Sequence, residues 1–201
     1  MTPLIALMGF FVWAGTAYAP VQAEQTPIDP AETVKVAVKD EVAVARDAVG
    51  ELSVKLTAYN AVPEQTDGNP LVTASGAASN SEVIAARSKD LASELPFGTI
   101  ISIEAPENPS RSCGFASVEH LVGYRVIADT THSRKVEQID ILVNTEDTVL
   151  VSGREVNPAL ALGVCNGVTV KIVGRIKVSD IPRTQAELID IVTGGKLAFN
   201  K

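Results

Sequence analysis

The sequence predicts an all-β fold, a small closed barrel, and three features point to it. Short strand-like segments recur between residues 53 and 176, the first alternating at period two from Ser53 to Tyr59, Asn, Asp, Gly, Pro and Ser punctuate them, and helical spacing is confined to brief stretches. About seven such strands in an open sheet would leave free edges, and closure removes them. Of nine aromatics among 201 residues, four (Phe10, Phe11, Trp13 and Tyr18) lie at the amino terminus, so the core must be built from Val, Ile, Leu and Ala.

That amino-terminal cluster has its own reading. Residues 1–23 carry no charged side chain, and Pro3 to Gly15 is almost wholly apolar. Those 13 residues are too few to cross a hydrocarbon core about 30 Å thick. They are followed by small-x-small patterns at Ala17-Tyr18-Ala19 and Val21-Gln22-Ala23. Pro20 disfavours a cut after Ala19, so residues 1–23 are expected to be an export signal cleaved after Ala23. The plainer alternative is a buried apolar helix. No Cys lies near the cut, so no lipid anchor is indicated, and no transmembrane span remains once the signal is removed. Residues 24–52 mix Pro27, Pro30 and alternating Val, Lys and Ala, and are read as a tether.

Strands are then expected at Ser53–Tyr59, Glu82–Arg87, Thr99–Glu104, Leu121–Ala128, Gln138–Val143, Thr148–Val151 and Val168–Ile176. Asn60 to Gly76 is a long loop, and Ala105 to Ser117 a surface excursion. Asn157 to Gly163 reads as a helical turn closed by Gly163. Residues 179–201 hold a helix beginning after Pro182, with Ala186, Leu188, Ile189 and Val192 at helical spacing.

Composition narrows the function. The net charge of −7 supplies no basic field for phosphate backbones, so nucleic acid is not an expected partner. His120 and His132 sit in no nucleophile-elbow or zinc pattern, and no glycine-rich phosphate loop occurs. No cofactor, metal or oligomeric state is signalled. Cys113 and Cys165 are not a metal site, since tetrahedral zinc needs four ligands. After export they would form one bridge or remain two buried thiols, and the residues alone leave both open.

Three aspartates stand in unusual places. Asp140 lies inside the strand Ile139-Asp140-Ile141, where a carboxylate needs hydrogen-bond partners because burying an unpaired charge is expensive. Asp129 ends a strand 11 residues earlier, and Asp67 sits on the long loop in Gln65-Thr66-Asp67-Gly68-Asn69-Pro70. The plainer reading is three turn-capping aspartates.

These residues fall in a recognisable order. Thr57-Ala58-Tyr59-Asn60, Gln65 to Pro70, Thr73-Ala74-Ser75-Gly76, Val83-Ile84-Ala85, Leu95-Pro96-Phe97-Gly98-Thr99, Ala128-Asp129-Thr130 and Ile139-Asp140-Ile141 together resemble the 3D domain, named for three aspartates. Asp67, Asp129 and Asp140 match the name-giving positions, and Ala159 to Ile176 looks like the closing strand. The resemblance covers residues 53–178 and extends to the catalytic barrel of membrane-bound lytic transglycosylase A and to rare lipoprotein A. It implies a six-stranded double-psi β-barrel acting on peptidoglycan glycan strands. It also implies Asp140 and Asp129 as catalytic residues, with Asp67, Tyr59, Thr73 and Thr130 on substrate. One departure is plain: Thr131 to Val136 is bulkier and more basic than the glycine-rich run of the family. The rival expectation is a wall-binding or structural envelope module without turnover, favoured by the few aromatics that follow residue 23.

Overall fold

The structure is a computed structural model and describes residues 50–66 and 69–197. The expected export signal, nearly all of the expected tether and Asp67 lie outside these residues. Six strands close into a barrel: β1 (Glu51–Asn60), β2 (Ile84–Arg87), β3 (Thr99–Glu104), β4 (Tyr124–Thr130), β5 (Gln138–Val143) and, after two strands outside the ring, β8 (Cys165–Arg175). Their order around the ring is β1-β5-β2-β4-β3-β8. β1 runs parallel to β5, and β2 to β4; the other pairings are antiparallel. Outside the ring, β6 (Val149–Val151) and β7 (Arg154–Val156) form a hairpin.

Two cores explain why the central strands read as unbroken apolar runs. One contains Leu56, Ala85, Ile101, Ile127, Ile139 and Val170, a buried residue from each ring strand, and therefore fills the barrel. The second contains Ile84, Ile100, Val126, Ala128 and Leu142 with Leu188 and Val192 of α3 (Gln185–Leu197), and lies on the outer face. Successive side chains of a strand point to opposite faces, so both faces of β2, β4 and β5 are buried.

The register carries one irregularity that matters for the site. Along β2 and β4, Ala85 pairs with Ile127 but Ala86 pairs with Asp129, so Ala128 is an extra residue. Such a bulge re-aims the side chains beyond it.

Several expectations are corrected here. The barrel starts at Glu51, two residues before the expected boundary, because Glu51 and Leu52 pair with Lys171 and Val170. β2 starts at Ile84 rather than Glu82, since residues 81–83 form a turn. Residues 115–122, expected to end a loop and begin a strand, form helix α1 (Phe115–Val122). Phe115, Val118 and Val122 recur at helical spacing and enter the barrel core, and Gly123, at φ 52°, turns the chain into β4. β7 was not anticipated, although Ser152 and Gly153, both at positive φ, make the turn that joins it to β6.

Three features lock the periphery. α2 (Pro158–Leu162) is capped by Asn157, whose side chain accepts from the Ala159 N–H at 2.9 Å, and Gly163 closes it. Cys113 and Cys165 form a disulfide, with Cα atoms 4.5 Å apart. α3 begins with a capping box: Thr184 Oγ1 accepts from the Glu187 N–H at 3.2 Å, and Glu187 Oε2 accepts from the N–H groups of Arg183 and Thr184. Gln185 joins this helix to β4, donating to the Tyr124 carbonyl at 2.7 Å and accepting from the Tyr124 N–H at 3.2 Å.

Arg125 is the largest fully buried side chain. Its guanidinium donates only to carbonyls: Val122 at 2.7 Å, Ser81 at 2.5 Å, Leu142 at 3.2 Å, Ile84 at 3.5 Å, and Leu121. Leu121 and Val122 belong to the last turn of α1, where carbonyls lack helical partners and cations are favoured. Burial pulls its pKa down to about 10, against Tyr59 and Glu82, which push it up.

Candidate active site

Register sets Asp129 and Asp140 on either side of one strand. Asp140 on β5 and Asp129 on β4 both lie opposite Ala86 on β2, one from each side. Two strand spacings of about 4.8 Å put their backbones roughly 10 Å apart. Both line one cavity of about 740 Å³, together with Tyr59, Thr73 and Thr130. Five of the six expected site residues therefore share a cavity, and the sixth, Asp67, lies outside the described residues.

The two carboxylates have different surroundings. Asp129 has both oxygens engaged: Oδ2 accepts the Tyr59 hydroxyl at 2.8 Å, and Oδ1 accepts the N–H groups of Ala74 at 2.9 Å and Thr130 at 2.8 Å. It thereby pins the long loop after β1 to the end of β4. Burial pushes the Tyr59 phenol far above its ordinary value, and the charges of Asp129 and Asp140 push the same way, so the phenol stays protonated and donates.

Asp140 is held through one oxygen. Thr57, its register partner on β1, donates its hydroxyl to Oδ1, and Gln138 Nε2 donates to the same atom at 2.6 Å. Gln138 Nε2 also reaches Thr57 Oγ1 at 2.9 Å, closing a triad. Gln138 is itself fixed, buried and bonded through its N–H to Ser88 Oγ at 3.0 Å. Among the described residues Oδ2 accepts no hydrogen bond. A carboxyl anchored through one oxygen, with the other free at a cavity, is suited to moving a proton.

The remaining lining divides by origin. The loop after β1 supplies Glu64, Gln65, Thr66 and Asn69, whereas the segments after β2 and β4 supply Lys89 and Thr131 to Lys135 without Arg134. Thr131 is buried and its hydroxyl has no partner, the one such side-chain atom among the described residues. An unpaired buried hydroxyl costs about 1–3 kcal/mol. No cluster of metal-ligating residues occurs among the described residues.

Sequence reasoning assigned no role to Thr57, Gln138, Lys89 or Lys135. Two of these had a signal: Thr57 shares a strand face with Tyr59, and Gln138 with Asp140, each two residues away. Lys89 had none, because its place depends on β2 pairing with β4. Compared with known proteins, the chain matches no family model and no curated protein sequence.

Proposed function

We propose that this chain is an exported, peptidoglycan-active protein with a double-psi barrel of the 3D type, cleaving glycan strands as a lytic transglycosylase does during wall turnover. Residues 1–23 would carry it out of the cytoplasm, to the periplasm, cell wall or outer envelope. The observation that carries the reading is the Asp140 carboxyl, held through Oδ1 by Thr57 and Gln138 in a cavity that Asp129 also lines.

A single acid suffices when the sugar supplies its own nucleophile, so the usual two-carboxylate requirement does not apply. Asp140 Oδ2–H protonates the oxygen leaving between N-acetylmuramic acid and N-acetylglucosamine. The resulting carboxylate takes the proton of the 6-hydroxyl, whose oxygen attacks the anomeric carbon and closes an anhydro ring. Asp129, an anion two strands away, stabilises the positive charge that develops on the sugar. Tyr59, Thr73 and Thr130, with Asp67 on the loop, hold hydroxyl and acetamido groups.

The rival, a peptidoglycan-binding or structural envelope module without turnover, is favoured by one observation. Tyr59 is the only aromatic among the described residues lining the cavity, which leaves little surface for sugar stacking.

Asp140→Asn separates them. The amide oxygen can replace Oδ1 as acceptor for Thr57 and Gln138, so the fold is kept, while the acid proton is lost. Mass spectrometry of digested peptidoglycan should find anhydro-sugar products with wild type and a rate lower by about 10²–10⁴ with the variant. Wild type that releases none, at any pH from about 4 to 7, where carboxyl acids are poised, hands the case to the binding module. Undiminished release by the variant moves the acid to Asp129 or Asp67.

A further inference from the structure

We propose that the basic side of the cavity, Lys89 with Lys135 and His132, is a carboxylate subsite, so that the glycan taken here is an anionic one. This rests on the glycan reading above and adds to it the charge of the substrate and the direction in which it lies.

The two lysines come from separate segments that are tied together at three points. The Thr131 N–H donates to the Arg87 carbonyl at 3.0 Å, the Gln138 N–H to Ser88 Oγ at 3.0 Å, and the Glu137 N–H to Asp90 Oδ2 at 2.9 Å. Lys89 lies between the first of these anchors and the last, and Lys135 lies within the loop they close. Both lysines are exposed. Neither has a carboxylate within ion-pair distance among the described residues, where the one ion pair is Lys171 with Glu104. Two cations without a carboxylate partner among the described residues thus line a cavity in a chain of net charge −7, and they offset locally a field that otherwise repels anions.

Neutral donors lie beside them. His132 Nδ1 accepts the Arg134 N–H at 3.2 Å, which leaves the Nε2–H as the donor. Thr131 lines the same cavity, with a buried hydroxyl that has no partner among the described residues. Asp129 and Glu64 also line the cavity and disfavour a second anion beside themselves. An anionic substituent is therefore favoured beside the lysines, and that preference orients the chain of sugars. The carboxylates available on a peptidoglycan strand are those of the lactyl ether and those of the peptide stem.

The test uses the full chain and four ligands: glycan oligomers bearing stems, the same oligomers stripped to the free lactyl acid, neutral chitooligosaccharides of equal length, and a short D-glutamyl peptide. Binding is followed by amide shifts at Thr131 and Lys135. The anionic glycans should bind roughly three- to tenfold tighter than the neutral one, the advantage that two solvent-exposed ion pairs confer. Lys89→Gln/Lys135→Gln, or salt at about 0.5 M, should erase that advantage. Whichever anionic glycan gains more identifies the lactyl or the stem carboxylate as the occupant. Equal affinity for all three glycans, or a preference that survives in the double variant, overturns the subsite and leaves the glycan reading intact. Shifts with the glutamyl peptide alone keep the subsite and discard the glycan. Silence with all four discards both.

Discussion

The Tyr59 hydroxyl donates to Asp129 Oδ2 across 2.8 Å, joining the first strand of the barrel to the fourth in the lining of the cavity. The bond couples stability to alkali as well as to geometry. Burial and two nearby carboxylates hold the folded phenol far above its ordinary pKa. A group raised in this way contributes stability that is complete below its unfolded pKa, about 10, and lost as pH climbs towards the folded one. Tyr59→Phe should cost about 1–3 kcal/mol near pH 7, where an acceptor charge loses its donor. It should also flatten the loss of stability above pH about 10, where the unfolded phenol ionises. Urea unfolding of both proteins from neutral to alkaline pH checks this, and equal slopes in alkali would sink it.

Arg125 gives a second expectation. Replacing it by Met removes a buried charge but strands the carbonyls of Leu121, Val122, Ser81 and Leu142. Each orphaned buried acceptor costs about 1–3 kcal/mol, so a net loss of at least about 3 kcal/mol is expected. Arg125→Lys should recover only part, because an ammonium cannot span carbonyls from α1, β5 and the turn before β2 at once. Denaturant midpoints order the three proteins, and a Met variant as stable as wild type refutes the account.

The capping box of α3 answers to acid. The N–H groups of Arg183 and Thr184 hold the Glu187 carboxyl below its usual range. A depressed carboxyl contributes stability that is present above its unfolded pKa, about 4.3, and lost as pH falls through the folded value. Amide protection factors at Gln185 to Leu188, exchange taken relative to the intrinsic rate at each pH, should therefore fall below pH about 4 in wild type. In Glu187→Ala they should already be low at neutral pH. Protection in wild type that is flat across that range would count against the cap.

The sequence made the strands legible wherever alternation or a β-branched run met clear turn residues, as at Thr99–Glu104 and Gln138–Val143, both found with their expected bounds. It misled at Leu121-Val122-Gly123-Tyr124, where apolar neighbours beside Tyr124 look extended. The buried stripe of Phe115, Val118 and Val122 decides for helix instead. Asp129 and Asp140 stood out because charge inside an apolar run is costly. Their partners did not, since Thr57 and Gln138 are ordinary strand residues until β1 is laid beside β5. Lys89 and Lys135 share a cavity only through pairing across 46 positions of chain, and no local pattern encodes that.

The extra residue in β4 has a consequence for how this site can vary. A regular ladder would set Ala128 opposite Ala86 and carry Asp129 one step on, beside Arg87. The placing of both aspartates opposite Ala86 thus depends on the bulge at Ala128, not on their own side chains. Regular pairing that kept Ala128 would slide Asp129 away from Asp140, whereas deleting Ala128 would leave Asp129 opposite Ala86. The loop from Thr131 to Glu137, by contrast, lies beyond both ladders, so its length and charge can drift without disturbing that alignment. The loop proposed to read the charge of the substrate and the bulge that sets the alignment therefore lie in separate stretches of chain, and one can change while the other is kept.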